Sequence, residues 1–303
     1  MLYRSVSSFY KEKFGCKVYK ISLDAGCTCP TRDGTKGTSG CIFCSESGSG
    51  DFAAARSLPI EEQIEQAKQK VLAKLGKHKD EGRFIAYFQN FTNTYGNIER
   101  LEALWNKAAQ AEKVVGVAIA TRPDCLGQAV LDALAHLCRK TFVSVELGLQ
   151  TTNPKSIEYI RRNYETAEYD EAVRKLHGIS KDIHVVTHII FGLPGETEED
   201  MLSTVRHSIK AGTDGIKIAL LHVLKNTGLA EDYLAHKFEC LSMEQYFELL
   251  AKALDIIPQD IVIHRLTGDG AKKILIAPLW SADKKRVHNE LEKYFLKNHK
   301  AMV

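Results

Sequence analysis

From Lys17 onward, short runs of β-branched and aromatic residues alternate with longer stretches in which apolar residues recur every three or four positions. Strand-like and helix-like patterns taken in turn predict parallel strands joined by crossover helices. Six strands are expected, over 18–23, 84–89, 114–120, 142–147, 184–191 and 215–221. Pro59 opens a helix whose Ile60, Ile64, Ala67, Val71 and Leu75 share one stripe, and Gly76 ends it. Thr197 is placed to cap another. Glu198, Glu199 and Asp200 fill its first turn, where the helix dipole favours acids, and Met201, Val205 and Ile209 turn inward.

After Leu224 the rhythm changes. Ser242 and Gln245 stand in capping-box spacing before a helix over 243–255, and a strand follows over 261–266. Asp269-Gly270 is a hairpin turn signal leading to a strand over 273–277, and a last helix carries Val287, Leu291, Tyr294 and Phe295 on one face. The expected fold is α/β: a partial (βα)6, TIM-like barrel of parallel strands over residues 1–225, including an N-terminal lead segment. An α+β extension over 226–303 would pack on it.

Alternate residues of a barrel strand face the helices and the lumen, and functional groups gather at the carboxyl ends of the strands. Val143, Val145 and Leu147 share the apolar parity, which turns Phe142, Ser144 and Glu146 into the lumen. The same argument sends Phe84, Ala86 and Phe88 outward with Gln89 inward, Thr187, Ile189 and Phe191 outward with His188 inward, and Ile216 and Ile218 outward with Lys217 inward. Gly116, Ala118 and Ala120 are small inward residues that leave room for a ligand beside Arg122. A lumenal carboxylate needs a partner, either a ligand or a salt bridge to Arg122 or Lys217.

Composition changes this picture little. With 44% hydrophobic and 26% charged residues in 303, the chain reads as an ordinary globular protein. Its longest apolar stretch, 114–120, is far short of the roughly 20 residues that span a bilayer, and Met1-Leu-Tyr-Arg-Ser does not open a signal peptide, so a cytoplasmic protein is expected. A net charge of +3 implies only mild attraction to polyanions; Lys284-Lys285-Arg286 and Arg161-Arg162 read as solvated helix faces.

Eight cysteines in a reducing compartment point to metal binding or catalysis wherever they cluster, rather than to a disulfide framework. Cys16, Cys125, Cys138 and Cys240 are scattered and read as buried, inert thiols. Directly after the first strand come Cys27-Thr-Cys29, a glycine-containing segment, and Cys41-Ile-Phe-Cys44. Two cysteines at C-x-x-C spacing can hold one metal from a tight turn, and the glycines let Cys29 fold back within reach. The segment 34–40 lacks the G-K-[ST] ending of a phosphate loop. Spacing leaves three readings: structural zinc on Cys27, Cys29, Cys41 and Cys44, a redox dithiol, or an iron-sulfur cluster with three protein ligands. A position at the carboxyl end of the first barrel strand favours chemistry over a structural ion.

That order of elements, with a three-cysteine loop after strand one and an aromatic before the last cysteine, resembles the radical SAM superfamily. Within it, Cys29-Pro-Thr-Arg-Asp-Gly-Thr-Lys-Gly37, Gln89-Asn-Phe-Thr-Asn-Thr-Tyr95, Thr121-Arg-Pro-Asp-Cys-Leu126, Glu146-Leu-Gly-Leu-Gln-Thr151, His188-Ile-Ile-Phe-Gly-Leu-Pro-Gly195 and Arg265-Leu-Thr-Gly-Asp-Gly270 are similar to the YhcC-like branch, related to the Elongator catalytic subunit. The likeness covers nearly the whole chain. Eleven residues separate Cys29 from Cys41, where the superfamily usually has three; a long gap is a feature of this branch.

The resemblance implies a 4Fe-4S cluster on Cys29, Cys41 and Cys44, with one iron left open for the amino and carboxylate groups of S-adenosyl-L-methionine (SAM). An electron from the reduced cluster, delivered by a low-potential donor such as flavodoxin or ferredoxin, would then release a 5′-deoxyadenosyl radical that abstracts hydrogen from a substrate. Cys27 would be spare. Phe43 resembles the aromatic beside the adenine, and Gly192 and Gly195 the glycine-containing adenosine contact; Gln89, Arg122, Glu146, Gln150, His188 and Lys217 complete the expected SAM-binding set. Relatives act on tRNA, proteins and small metabolites, so the substrate is unidentified, with RNA among the candidates. Arg161, Asn163 and Tyr164 depart from an Asn-Arg-Gly-His motif of the relatives, which bears on substrate contacts. The rival reading is a zinc-stabilised RNA-binding module without catalysis.

Overall fold

The computed structural model describes residues 2–48, 55–75, 82–268, 270 and 272–299. In chain order the elements are β1 (Arg4–Ser5), α1 (Val6–Phe14), β2 (Val18–Leu23), α2 (Ile60–Leu75), β3 (Arg83–Phe88), α3 (Ile98–Gln110), β4 (Val114–Thr121), α4 (Gln128–Cys138), β5 (Phe142–Gln150), α5 (Pro154–Tyr159), α6 (Thr166–Ile179), β6 (His184–Phe191) and α7 (Glu198–Ala211). Then come β7 (Gly215–Leu220), β8 (Val223–Leu224), α8 (Gly228–Leu234), α9 (Met243–Ile256), β9 (Val262–Arg265), β10 (Leu275–Ala277) and α10 (Lys284–His299). Thr197 and Asp200 form a capping box on α7, as do Ser242 and Gln245 on α9. Gly76 and Asp269, the expected helix stop and turn residue, lie outside the described residues.

One sheet of eight parallel strands runs in the order β1-β9-β7-β6-β5-β4-β3-β2. It curls into a half-barrel: β2 and β9 stand far apart in that order, yet Lys20 Nζ lies 3.5 Å from His264 Nδ1 across the lumen. The outward parity is as expected. Phe84, Ala86, Phe88, Val143, Val145 and Leu147 join a buried core with Leu101 and Trp105 of α3 and Leu134 of α4, while Ile189, Phe191, Ile216 and Ile218 pack with α7 and α9. Val287 and Leu291 of α10 close that second core.

The inner face is sealed at its amino end by α1. Tyr10 packs with Ile85, Tyr87, Ala118 and Ala120, joined by Phe9, Phe14 and Phe142. Ser5 caps this helix by accepting from the Ser8 amide, and Gly15, at φ 71°, ends it.

Two expectations are corrected. The strand at 261–266 does not form a hairpin with 273–277: β9 pairs in parallel with β7 and β1, whereas β10 pairs antiparallel with β8. Ile261, Val262 and Ile263 are all buried, as both faces of a covered parallel strand require. Nor is Arg161-Arg162 a solvated face throughout: Arg161 is exposed, but Arg162 is buried. Arg162 is 1% exposed because its guanidinium donates to Leu149 O, Thr151 O and Tyr164 O at 2.6–3.0 Å, filling the carbonyl-rich end of β5. Among the described residues no helix is long and apolar enough to cross a membrane. None of the eight cysteines is in a disulfide.

Candidate functional site

The loop after β2 is held by its own backbone. The amides of Arg32 and Asp33 donate to Cys29 O, Lys36 N to Pro30 O, and Gly40 N to Thr31 O at 2.8 Å, which returns the chain to Cys41 beside its starting point. A side chain at Gly40, whose φ is 69°, would meet Arg32 at 2.8 Å; the glycine lets the guanidinium lie there. Arg32 in turn donates to Cys44 O and Ser45 O at 3.0 and 2.7 Å and ties both halves of the loop together. The Cys44 amide closes the C-x-x-C turn on Cys41 O at 3.0 Å. Ile42 anchors the turn to the body through Ile160 O and the Leu229 amide.

Cys29, Cys41 and Cys44 line one cavity of about 600 Å³ at the carboxyl end of the sheet, together with Phe43, Gln89, Arg122, Glu146, Gln150, His188 and Lys217. Cys29 Sγ lies 3.2 Å from Thr31 Oγ1 and accepts from Thr92 Oγ1 at 3.3 Å. Burial, then the neighbouring Cys44, pushes the Cys41 thiol up to about 12, so its thiolate depends on a cationic partner. Cys27 faces elsewhere: it is 3% exposed in the core with Ile60, Ile64 and Trp105, and burial raises its thiol to about 11. Among the described residues no three or more His, Cys, Asp or Glu side chains converge on the position of a single metal ion.

Deeper in the lumen Glu146, 1% exposed, accepts from four strands. Its partners are Lys20 of β2, Tyr87 of β3 at 2.7 Å, His188 of β6 at 2.6 Å and Lys217 of β7 at 3.0 Å. Burial alone would push this carboxyl up, but Lys20 and Lys217 outweigh it and hold it well below the usual carboxylate range. Burial, with Arg265 and Lys20 adding to it against the pull of Glu146, brings Lys217 down to about 8; burial brings His188 down to about 4. Glu146 is thus satisfied within the protein, and of the two salt bridges considered for it the one to Lys217 is made. Arg122 instead forms a bidentate pair with Asp124, 2.9 Å on each arm, with Tyr164 packed against its guanidinium.

Gln150, at φ 66°, folds its amide back over Gly148, where a Cβ would stand 2.6 Å from Nε2. Gly192 and Gly195 follow β6 but are not part of the cavity wall; the Gly192 amide faces Met201 Sδ. Sequence reasoning missed Lys20, Tyr87, Thr92, Tyr164 and Arg265 as wall residues. Lys20 and Ser22 alternate with Tyr19, Ile21 and Leu23, and Tyr87 falls between Ala86 and Phe88, so parity carried the signal for Lys20 and Tyr87.

Comparison with known proteins follows this geometry. Residues 34–207 match the family model of the Radical SAM superfamily, and residues 213–297 match that of the Radical_SAM C-terminal domain. Protein YtqA of Bacillus subtilis is 42% identical over 293 residues, covering 96% of this chain and 88% of its own length. Protein YhcC of Escherichia coli K12 is 32% identical over 283 residues, covering 93% and 88%. In fold, the chain is similar to archaeal Methanocaldococcus infernus Elp3, with a TM-score of 0.63 at 18% identity; the match covers 91% of this chain and 63%, less than two thirds, of that one.

Proposed function

The chain belongs to the radical SAM superfamily, and from that membership we propose that Cys29, Cys41 and Cys44 hold the family's 4Fe-4S cluster at the mouth of the lumen. One observation carries the assignment: three thiols share the cavity wall while the fourth candidate, Cys27, is turned into the core behind it. Three soft donors suit an iron-sulfur cluster with one iron left for a cofactor, whereas a closed zinc site takes four protein ligands. When bound, the reduced cluster supplies the electron that splits the sulfonium of SAM into methionine and a 5′-deoxyadenosyl radical, which takes a hydrogen atom from the substrate.

The protein's part is to hold, orient and exclude. Arg32 fixes the turn that carries Cys44, and Thr92 directs its hydroxyl at Cys29 Sγ. Phe43, Gln89, Arg122 and Gln150 share the mouth with the thiols and are the SAM contacts we propose, with the Gly192–Gly195 turn outside the wall as a support for α7. Behind them α1 shuts out water from the amino end of the lumen. The electron source is a low-potential carrier such as flavodoxin or ferredoxin.

Anaerobic reconstitution tests this reading. The expected product is a brown protein with four iron and four sulfide per chain, the composition of the named cluster, that forms 5′-deoxyadenosine on reduction with SAM. One zinc per chain, no chromophore and no 5′-deoxyadenosine would overturn it and restore the non-catalytic reading.

A further inference from the structure

Below the thiols, the lumen holds a second charged group of side chains. Lys20 and Lys217 both turn to Glu146, so two ammonium groups share one carboxylate. Tyr87 adds a hydroxyl that donates to the same carboxylate and accepts from Lys217 Nζ at 3.0 Å, and both ammonium groups lie over its ring, at 4.9 and 5.1 Å from the centroid. His188, neutral near pH 7, brings no negative charge. Arg265 of β9 lies on the same wall with an interaction of its own and is not counted in this imbalance. Among the described residues that line the cavity, Glu146 is the one acid.

Excess positive charge out of bulk water is costly unless an anion accompanies it. Lys20 is the ammonium in reach: its side chain is 22% exposed and lines the cavity, whereas that of Lys217 is 10% exposed. Depth separates this group from the cofactor. Lys20 and Lys217 each stand three residues before the last residue of their strands, about 10 Å below the strand ends at the usual rise per residue. The thiols lie beyond those ends, in the loop after β2. The amino and carboxylate groups of SAM must stay beside the iron they complete and so remain at the mouth.

We infer that Lys20 and Lys217, positioned by Glu146 and Tyr87, form a seat for an anionic end group, carboxylate or phosphate, of a small-molecule substrate that lies between the lumen floor and the cofactor. This rests on the cluster assignment above, which defines the mouth. The cavity of about 600 Å³ lies within the range of ligand pockets, roughly 300–1,000 Å³, and the seat is reached from inside it rather than from the outer surface. The end group would replace water at Lys20 and complete the ammonium shell that Glu146 fills from the other side.

The test uses reconstituted holoprotein with SAM bound, titrated with inorganic phosphate and, separately, acetate at constant ionic strength. Iron content and SAM retention are read on the same samples. Wild type should show saturable thermal stabilisation by at least one of the two anions, and which one does so assigns phosphate or carboxylate. Lys20→Met should weaken that binding at least tenfold with iron content and SAM retention unchanged; Lys217→Met should do the same where it folds. Iron-loaded, SAM-bound wild type without saturable anion binding overturns the inference and leaves the cluster assignment standing, whereas absence of iron in wild type overturns the cluster assignment instead. Equal anion binding in wild type and Lys20→Met, or loss of SAM together with the anion in Lys20→Met, also overturns the seat. Salt-dependent tRNA binding without anion saturation would assign the cavity to RNA.

Discussion

The mouth and the floor of the lumen are built on opposite terms. At the mouth, thiols hang from a loop whose shape comes from backbone hydrogen bonds, one arginine and a few glycines, and Cys41 is a half-buried donor on the cavity wall. At the floor, Glu146 sits on a strand, is held by four neighbouring strands and is fully partnered within the chain. The mouth leaves its thiols for a partner, whereas the floor fixes its carboxylate within the chain. Loops suit a site that must accept a bulky group, and strand-borne networks suit one that must keep a fixed charge geometry.

The largest expected effect separates the two directly. Cys29→Ala, Cys41→Ala or Cys44→Ala should abolish the cluster, while Cys27→Ala keeps it; iron and sulfide counting after anaerobic reconstitution checks this, and a cluster retained in Cys44→Ala would refute the ligand set. None of the three ligand variants should disturb the floor, so their urea unfolding midpoints without iron should stay close to wild type.

Next in size is Glu146→Gln. Removing one partner of a buried ion pair typically costs about 3–5 kcal/mol, because the remaining charges lose their counter-charge in a dry site. Urea unfolding should show a loss of that order. A variant as stable as wild type would mean that the floor is wetter than its burial implies.

A smaller effect is set by pH. Burial lowers His184 and His188 from 6.5 to about 4, so each is neutral in the fold over a range where it is protonated in the unfolded chain. Unfolding then takes up protons, and these groups make stability fall as pH drops from 6.5 toward 4. Glu196, raised to about 7 by burial, works in the opposite direction and is untouched by substitution at His184. His184→Phe should therefore make the acid limb of the stability curve shallower, measured as urea midpoints between pH 7 and 4; an unchanged slope would remove His184 from this account.

The smallest effect returns to the mouth. Thr92→Val removes the hydroxyl that donates to Cys29 Sγ. Fewer hydrogen bonds to a cluster sulfur disfavour the reduced state, so the midpoint potential of the reconstituted cluster should become more negative in spectroelectrochemical titration.

The floor was more legible in the sequence than the wall above it. Strand parity put Glu146, His188 and Lys217 in the lumen from their apolar neighbours alone, and the six central strands followed from β-branched runs between capped helices. Three of the cysteines were a visible set, but choosing Cys29 over Cys27 needed the resemblance, since burial behind the wall leaves no mark on a C-x-C pair. The course of β9 was hidden because a run of apolar residues does not name its partner, and two-residue β1 is too short to carry a period. Arg162 read as surface because its carbonyl acceptors come from residues 149, 151 and 164, brought together only by the fold.

The aromatic stopper of Phe9, Tyr10, Phe14 and Phe142 gives the half-barrel the character of a blind well. A group that enters from the thiol end therefore meets a closed bottom and leaves by the way it came.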